Sequence, residues 1–256
     1  MRILIRLSAR ANAAYDNAYH HKLRGRIWRA LEGTSFGAEH GGSSPVGFTF
    51  SNPFPWGDIE EGDQRNLLIA ATRDELLAEI AAQLLENPEL NIGEMPFEIQ
   101  DVNPVSPDVG PPGTRGTIRS DTGVMAKVPP QYKPEDAPKS TDLFWRPKHG
   151  LGAFKNYIQT QLQRRHDRFA PDGVPGPKEV DESLFTAYDR QKQYALPVTV
   201  TTGEERTVVV NKWEFDYEVR DATHRYHLNL ALDAGLGGRT TLGFGFLNIP
   251  KAEDST

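Results

Sequence analysis

Hydrophobic periodicity over the first hundred residues switches between about two and about 3.6 in the order strand, helix, strand, strand, helix, strand, and that order leaves few folds open. From Met1 to Ala9 the residues alternate. Ile3, Ile5 and Leu7 share one face while Arg2, Arg6 and Ser8 share the other, which predicts a strand with one buried side and one wet, basic side. Tyr19, Leu23, Ile27 and Leu31 then recur at every fourth position, predicting a helix over 18–31 that stops at Gly33 and carries His21, Arg24 and Trp28 on its polar face. Short strands are predicted at 48–51 and 67–71. Thr72 and Glu75 read as a capping box opening a helix whose stripe is Leu76, Leu77, Ile80 and Leu84, and Asn87-Pro88 ends it. A strand over 97–102 completes the ferredoxin-like order that RNA-recognition modules also use.

Residues 103–116 hold four prolines and three glycines, too many for a packed element. The chain therefore divides into a first domain over 1–104, a linker over 105–116 and a second domain over 117–256. In the second domain strands are predicted at 117–127, 194–201, 207–217 and 225–232, with one helix over 152–169 and an insertion over 171–182. The predicted class is α+β, with two tandem ferredoxin-like (RRM-like) domains, the second degraded and strand-rich.

Composition removes several chemistries. The chain of 256 residues has no cysteine, which excludes disulfides, zinc-thiolate sites, iron–sulfur clusters and a thiol nucleophile. No apolar run approaches the ~20 residues of a membrane span, and the N-terminus alternates where a signal peptide would be continuously apolar, so a cytoplasmic location is expected. The formal net charge is −6, yet the first thirty residues carry seven basic side chains against Asp16 alone. A basic patch on an acidic body suits a selective polyanion binder. Arginine outnumbers lysine 19 to 10, which with the acid surplus hints at a halophile.

The chain has no Gly-x-Ser-x-Gly elbow, His-Glu-x-x-His helix or phosphate-binding P-loop. The acidic run 58–63 lacks EF-hand spacing and reads as a solvated loop, so neither a metal nor a cofactor is expected. The segment 235–246, with Gly235, Gly237, Gly238, Gly243 and Gly245 around Arg239, could aim several amides at a phosphate; a plain bulged hairpin fits the same residues. Of seven histidines, His40 stands apart. It sits among glycines between the basic helix and a strand, where an exposed imidazole keeps a pKa near ~6.5 and exchanges protons at neutral pH.

Three of these features together resemble the CRISPR-associated endoribonuclease that processes repeat RNA, the sixth family of Cas proteins. They are the N-terminal Met-Arg-Ile-Leu-Ile-Arg-Leu strand, the Tyr19–Leu31 helix followed by His40 and Phe48-Thr49-Phe50-Ser51, and the C-terminal Gly-Leu-Gly-Gly-Arg-Thr-Thr-Leu-Gly-Phe-Gly-Phe. The similarity is sharpest at the two ends and holds only in outline over 52–225, and the composition looks like that of members from halophilic archaea. The resemblance implies a metal-independent ribonuclease cutting precursor CRISPR RNA within repeats by attack of a 2′-hydroxyl, leaving a 2′,3′-cyclic phosphate and a 5′-hydroxyl. It places His40 as the general acid–base. Arg24 and Arg239 are candidates to stabilise phosphate charge, with Trp28 as a stacking surface; a surface arginine and a packed tryptophan are the plainer readings of residues 24 and 28. Relatives often add a helix tyrosine and a lysine to the histidine, and here Trp28 and Val46 stand at those positions. Two other readings therefore stay open: a noncatalytic RNA-binding subunit holding the processed guide in an interference complex, and a ferredoxin-like protein acting on a small ligand.

Overall fold

The structure, a computed structural model, describes residues 1–39, 46–135, 143–180, 183–201 and 204–250. The first sheet contains β1 (Arg2–Ala9), β2 (Phe48–Phe50), β3 (Gln64–Ala71), β4 (Glu89–Ile92) and β5 (Met95–Val105), ordered β2-β3-β1-β5-β4 and antiparallel throughout. Helices α1 (Tyr19–Ala30) and α2 (Asp74–Glu86) cover one face, where Ile3, Ile5, Leu7, Ile69 and Phe97 meet Leu23, Ile27, Leu77 and Ile80 in one core. Without β4, an added edge strand, this is the ferredoxin-like order. The capping box at Thr72 does not form: Arg73 is the N-cap without a side-chain bond, and the Thr72 hydroxyl donates to the Gly47 carbonyl at 3.4 Å.

The second sheet repeats the arrangement with longer strands. Its elements are β6 (Arg115–Ser120), β7 (Val124–Met125), α3 (Gly150–Phe169), β8 (Ala187–Thr201), β9 (Glu204–Glu218), α4 (Ala222–Ala234) and β10 (Leu247–Asn248). Because β8 pairs along most of β9, it fills one edge of that strand, so β6 and β7 share the other edge, with β10 outside β6. Two corrections follow. The second unit is complete, with a second helix where the sequence suggested a strand at 225–232. Leu228, Leu230 and Leu232 alternate and mimic a strand, but Asp221 caps the helix by accepting from the His224 amide at 2.7 Å, and His224, Leu228 and Ala231 are buried at helical spacing. The proline-rich stretch between β5 and β6 is packed, with Val109 buried in the second core, its amide on Asn229 Oδ1 at 3.2 Å and Asp108 paired with Arg225.

The uncovered face of β1 is not simply wet. Arg2 is 1% exposed, and its guanidinium reaches across to the second half of the chain. It donates to the carbonyls of Leu232 at 3.0 Å and Leu247 at 2.7 Å and to Asn248 Oδ1 at 3.2 Å, and lies over the Phe246 ring at 4.7 Å. Leu68 and Ala70 of β3 pack on the same Phe246 with Leu4 beside them. Burial pulls the Arg2 pKa down to about 10, so the group remains charged at neutral pH. Among the described residues no helix is long and apolar enough to cross a membrane.

Truncating Arg2 strands two buried carbonyls, and each unsatisfied group costs ~1–3 kcal/mol. Arg2→Ala is expected to lower the unfolding free energy by about 2–4 kcal/mol in a urea titration. Arg2→Lys should recover only part of it, since an ammonium cannot reproduce the planar fork. Unchanged stability in Arg2→Ala would refute this account of the junction.

Candidate functional site

Helix α1 lies with its first turn against the glycine-rich segment that joins α4 to β10. His20, only 8% exposed, donates from Nδ1 to the Leu242 carbonyl at 2.8 Å. Its ring stacks on Tyr19 at 4.3 Å and tilts against Phe244 at 4.9 Å, while the Tyr19 hydroxyl donates to Asn52 Oδ1 at 2.6 Å. Burial pulls the His20 pKa down to about 4, so the ring is neutral at pH 7 and serves as a strut between the two halves.

One turn further along α1, Arg24 is half-buried. Its Nε–H is enclosed and has no hydrogen-bond partner among the described residues. Desolvation, and then the positive charge of Arg239, lower its pKa. The structure therefore brings Arg24 and Arg239 together although 215 positions separate them in sequence. Arg239 is the one non-glycine residue at positive φ among those described, at 56°, and it opens a 3₁₀ turn over Thr240–Leu242. A left-handed L-residue costs ~1–2 kcal/mol, a strain that structures tend to keep at working positions.

The glycines act differently from the expected amide nest. Gly238 donates its amide to the Met125 carbonyl at 2.9 Å, Gly245 to Gly123 at 3.0 Å and Gly243 to Thr240 at 2.8 Å, so these donors are committed within the chain. From below, the fully buried Arg165 of α3 donates to the carbonyls of Gly235 at 3.2 Å and Gly237 at 2.6 Å and to Thr240 Oγ1 at 3.3 Å. Burial brings the Arg165 pKa down to about 10. Glycine is required where the backbone passes closely: Gly243, at φ 79°, lies against the Phe50 ring. The segment is thus a rigid turn on a buried cation, and its outward offering is the side chain of Arg239.

Other expected residues fall elsewhere. Trp28 is 6% exposed and packs edge-on against Phe48 at 5.7 Å, inside the first core with Val46; β2 covers this flank of the helix, so Trp28 offers no face for stacking. His40 lies outside the described residues. The N-terminal basic cluster is largely spent: Arg2 is buried, Arg6 pairs with Asp101 at 3.4 Å, Arg10 with Glu89 at 3.0 Å, and Lys22 with Glu94. Arg26 donates to the Asn87 carbonyl at 3.1 Å. His224 and His227 bond the carbonyls of Leu184 and Pro175, each at 2.9 Å, as structural histidines do. Among the described residues no three His, Asp or Glu side chains gather where one metal ion would sit.

Sequence reasoning missed a second cationic feature beside Arg239. A cavity of about 470 Å³ is lined by Lys127, Lys133 and Arg164 with Arg239 at its edge, together with Tyr157, Thr160 and Gln161 of α3. Its cations are scattered over the chain and leave no linear pattern. The available signal was the helical spacing of Tyr157, Thr160, Gln161 and Arg164, which puts all four on one face.

Comparison with known proteins identifies chains of similar sequence and fold. Residues 117–249 match the family model described as CRISPR associated protein Cas6, C-terminal. A curated relative from Haloferax mediterranei, named CRISPR-associated endoribonuclease Cas6, is 53% identical over 252 residues, covering 97% of this chain and 93% of that protein. Among solved structures, one described as CRISPR associated protein Cas6 aligns with TM-score 0.70 at 14% identity, over 98% of this chain and 99% of its own. Another, described as an RAMP protein binding different RNA substrates, aligns with TM-score 0.68 at 17% identity, over 98% of this chain and 100% of its own. Both show the same fold of two ferredoxin-like domains.

A buried histidine with a depressed pKa stabilises the folded state fully above its unfolded value of ~6.5, and that contribution is lost as pH falls through the folded value. In wild type, unfolding free energy should therefore drop by on the order of 3 kcal/mol more between pH 7 and pH 4 than in His20→Gln, whose amide can still donate to Leu242 without titrating. Parallel losses in the two proteins, measured by urea midpoints at both pH values, would show that His20 does not titrate as a buried neutral ring.

Proposed function

The chain belongs to the Cas6 family of CRISPR-associated proteins, and on that premise we propose that it is an endoribonuclease that cuts precursor CRISPR RNA within its repeats to release guide RNA. The observation that carries the reading is the 53% identity, over almost the whole chain, to a relative named as a CRISPR-associated endoribonuclease. Two arginines from opposite halves, one with an orphaned Nε–H, add a place for a phosphate.

In this reading residues 1–104 supply the histidine segment and Arg24, residues 117–256 supply the glycine-rich turn, and 105–116 joins them. Scission proceeds by internal transfer. The 2′-oxygen attacks the adjacent phosphorus, the bond to the 5′-oxygen breaks, and a 2′,3′-cyclic phosphate and a 5′-hydroxyl result. The 2′-hydroxyl proton must leave and the departing 5′-oxygen must gain one. His40 is assigned to this proton traffic, which a single positioned imidazole accelerates by ~10²–10⁴. Arg24 and Arg239 bear the charge that builds on the phosphate oxygens. No metal takes part in these steps, and no cofactor is needed.

A second reading is favoured by one observation. Trp28 and Val46, which stand where relatives often carry a tyrosine and a lysine, are both buried in the first core and present no polar group to solvent. A noncatalytic subunit that keeps the repeat-derived end of the guide, docked to other proteins of an interference complex, would be built this way.

Purified protein and end-labelled repeat RNA separate these readings. The endoribonuclease yields one cut, unaffected by chelator and abolished by a 2′-deoxy substitution at the cleaved position. His40→Ala should slow it by about 10²–10⁴, and Arg24→Ala by about ten- to a hundredfold through loss of one charged hydrogen bond. Tight binding without scission, unchanged in His40→Ala, would establish the second reading, and cleavage of the 2′-deoxy substrate would eliminate attack by the ribose.

A further inference from the structure

Arg239 lines a cavity that Arg24 does not line, and the chemistry of that cavity is specific. One wall is the face of α3 bearing Tyr157, Thr160, Gln161 and Arg164; the other is the segment from Met125 to Lys133, tied to α3 by the Gln131–Asn156 hydrogen bond of 3.1 Å. Val128, Pro129, Pro130 and Leu143 give an apolar lining. Gly238 lets the Tyr157 hydroxyl close in on the glycine-rich turn, since a Cβ there would meet that oxygen at 2.5 Å. The described lining residues include four cations and no carboxylate. Neither Arg164 nor Arg239 forms an ion pair among the described residues.

We propose that this cavity is a nucleotide subsite, taking one unpaired nucleotide of the RNA next to the scissile phosphate, with its phosphate on Arg164 and Arg239 and its base against the proline-lined wall. The inference rests on the reading of the protein as an RNA processor. A cavity of about 470 Å³ lies within the ~300–1,000 Å³ of small-molecule sites and admits a nucleotide. The described lining residues present no carboxylate that would repel a phosphate. An apolar wall beside neutral donors accepts any base face, as single-strand binders do. Arg239 shares this cavity with Arg164 and interacts electrostatically with Arg24, so it links the two cationic positions a strand would follow. The subsite then fixes the position of the strand relative to the cut, whichever base occupies it.

The test uses full-length protein and a repeat RNA made uncleavable by a 2′-deoxy at the cut, with 2-aminopurine placed in turn at each unpaired position. Wild type should show one position where fluorescence changes on binding. Thr160→Trp fills the cavity without altering charge, and Arg164→Ala removes a cation from its lining; each should raise the Kd about tenfold or more and abolish that signal. Arg164→Ala should also reduce the slope of log Kd against log salt by about 0.7, the share of one neutralised phosphate on a single strand. Should Thr160→Trp bind as tightly as wild type with the fluorescence change intact, the subsite is overturned while the enzyme reading stands. If wild type itself fails to bind repeat RNA, the enzyme reading falls and the subsite with it.

Discussion

The turn between α4 and β10 has more backbone carbonyls than it can satisfy by itself, and the arrangement of the two halves follows from that shortage. A buried carbonyl without a donor costs about as much as a lost hydrogen bond, so each must be met by something. Three side chains from three elements meet them. Arg2 of β1 takes Leu232 and Leu247, His20 of α1 takes Leu242, and Arg165 of α3 takes Gly235 and Gly237. Two of these donors belong to the first sheet and its helix, so the turn is also the joint. A shift of the joint would pull Arg2 and His20 away from the carbonyls of Leu232, Leu247 and Leu242, and for that reason it behaves as a fixed surface.

Charge is distributed by the same logic. Arg2 and Arg165 are buried cations bonded to neutral oxygens, an arrangement that leaves their charge uncancelled by direct contact. The exposed basic residues of the first strand and helix are mostly answered locally by Asp101, Glu89 and Glu94. Among the described residues Arg24, Arg239 and Arg164 form no ion pair, so their positive charge is not cancelled locally. In a chain of net charge −6, such a site attracts a polyanion while the remaining surface repels it.

The first domain was readable because its signals are local. Alternation in Met1–Ala9 and the four-residue step from Tyr19 to Leu31 each report a neighbour-to-neighbour geometry that packing did not override. Helix α4 was not, since Leu228, Leu230 and Leu232 alternate as a strand would and the deciding feature is the Asp221 cap. Trp28 misled because the helix is covered on a second flank by β2, which no one-face stripe reveals. The glycine-rich segment was located correctly and its amides were misread: the partners of Gly238 and Gly245, Met125 and Gly123, lie more than a hundred residues away. The pairing of Arg24 with Arg239 is legible only after both domains are folded and joined.

The left-handed residue in the turn is the remaining piece. The chain must reverse between Gly238, whose amide is fixed on Met125, and Leu242, whose amide bonds back to the Arg239 carbonyl at 2.9 Å. Glycine at 239 would meet that geometry without strain but would present no charge. Arginine there accepts ~1–2 kcal/mol of backbone cost, and in return its Cα is held by hydrogen bonds on both sides. When a phosphate arrives, only side-chain torsions remain to be ordered, and a flexible loop would add ~1–2 kcal/mol per residue of backbone entropy to that. In the proposed site, a rigid turn carrying one arginine would make a stronger phosphate contact than a mobile loop with the same residue, so the carbonyls beneath it would serve that role as well as folding.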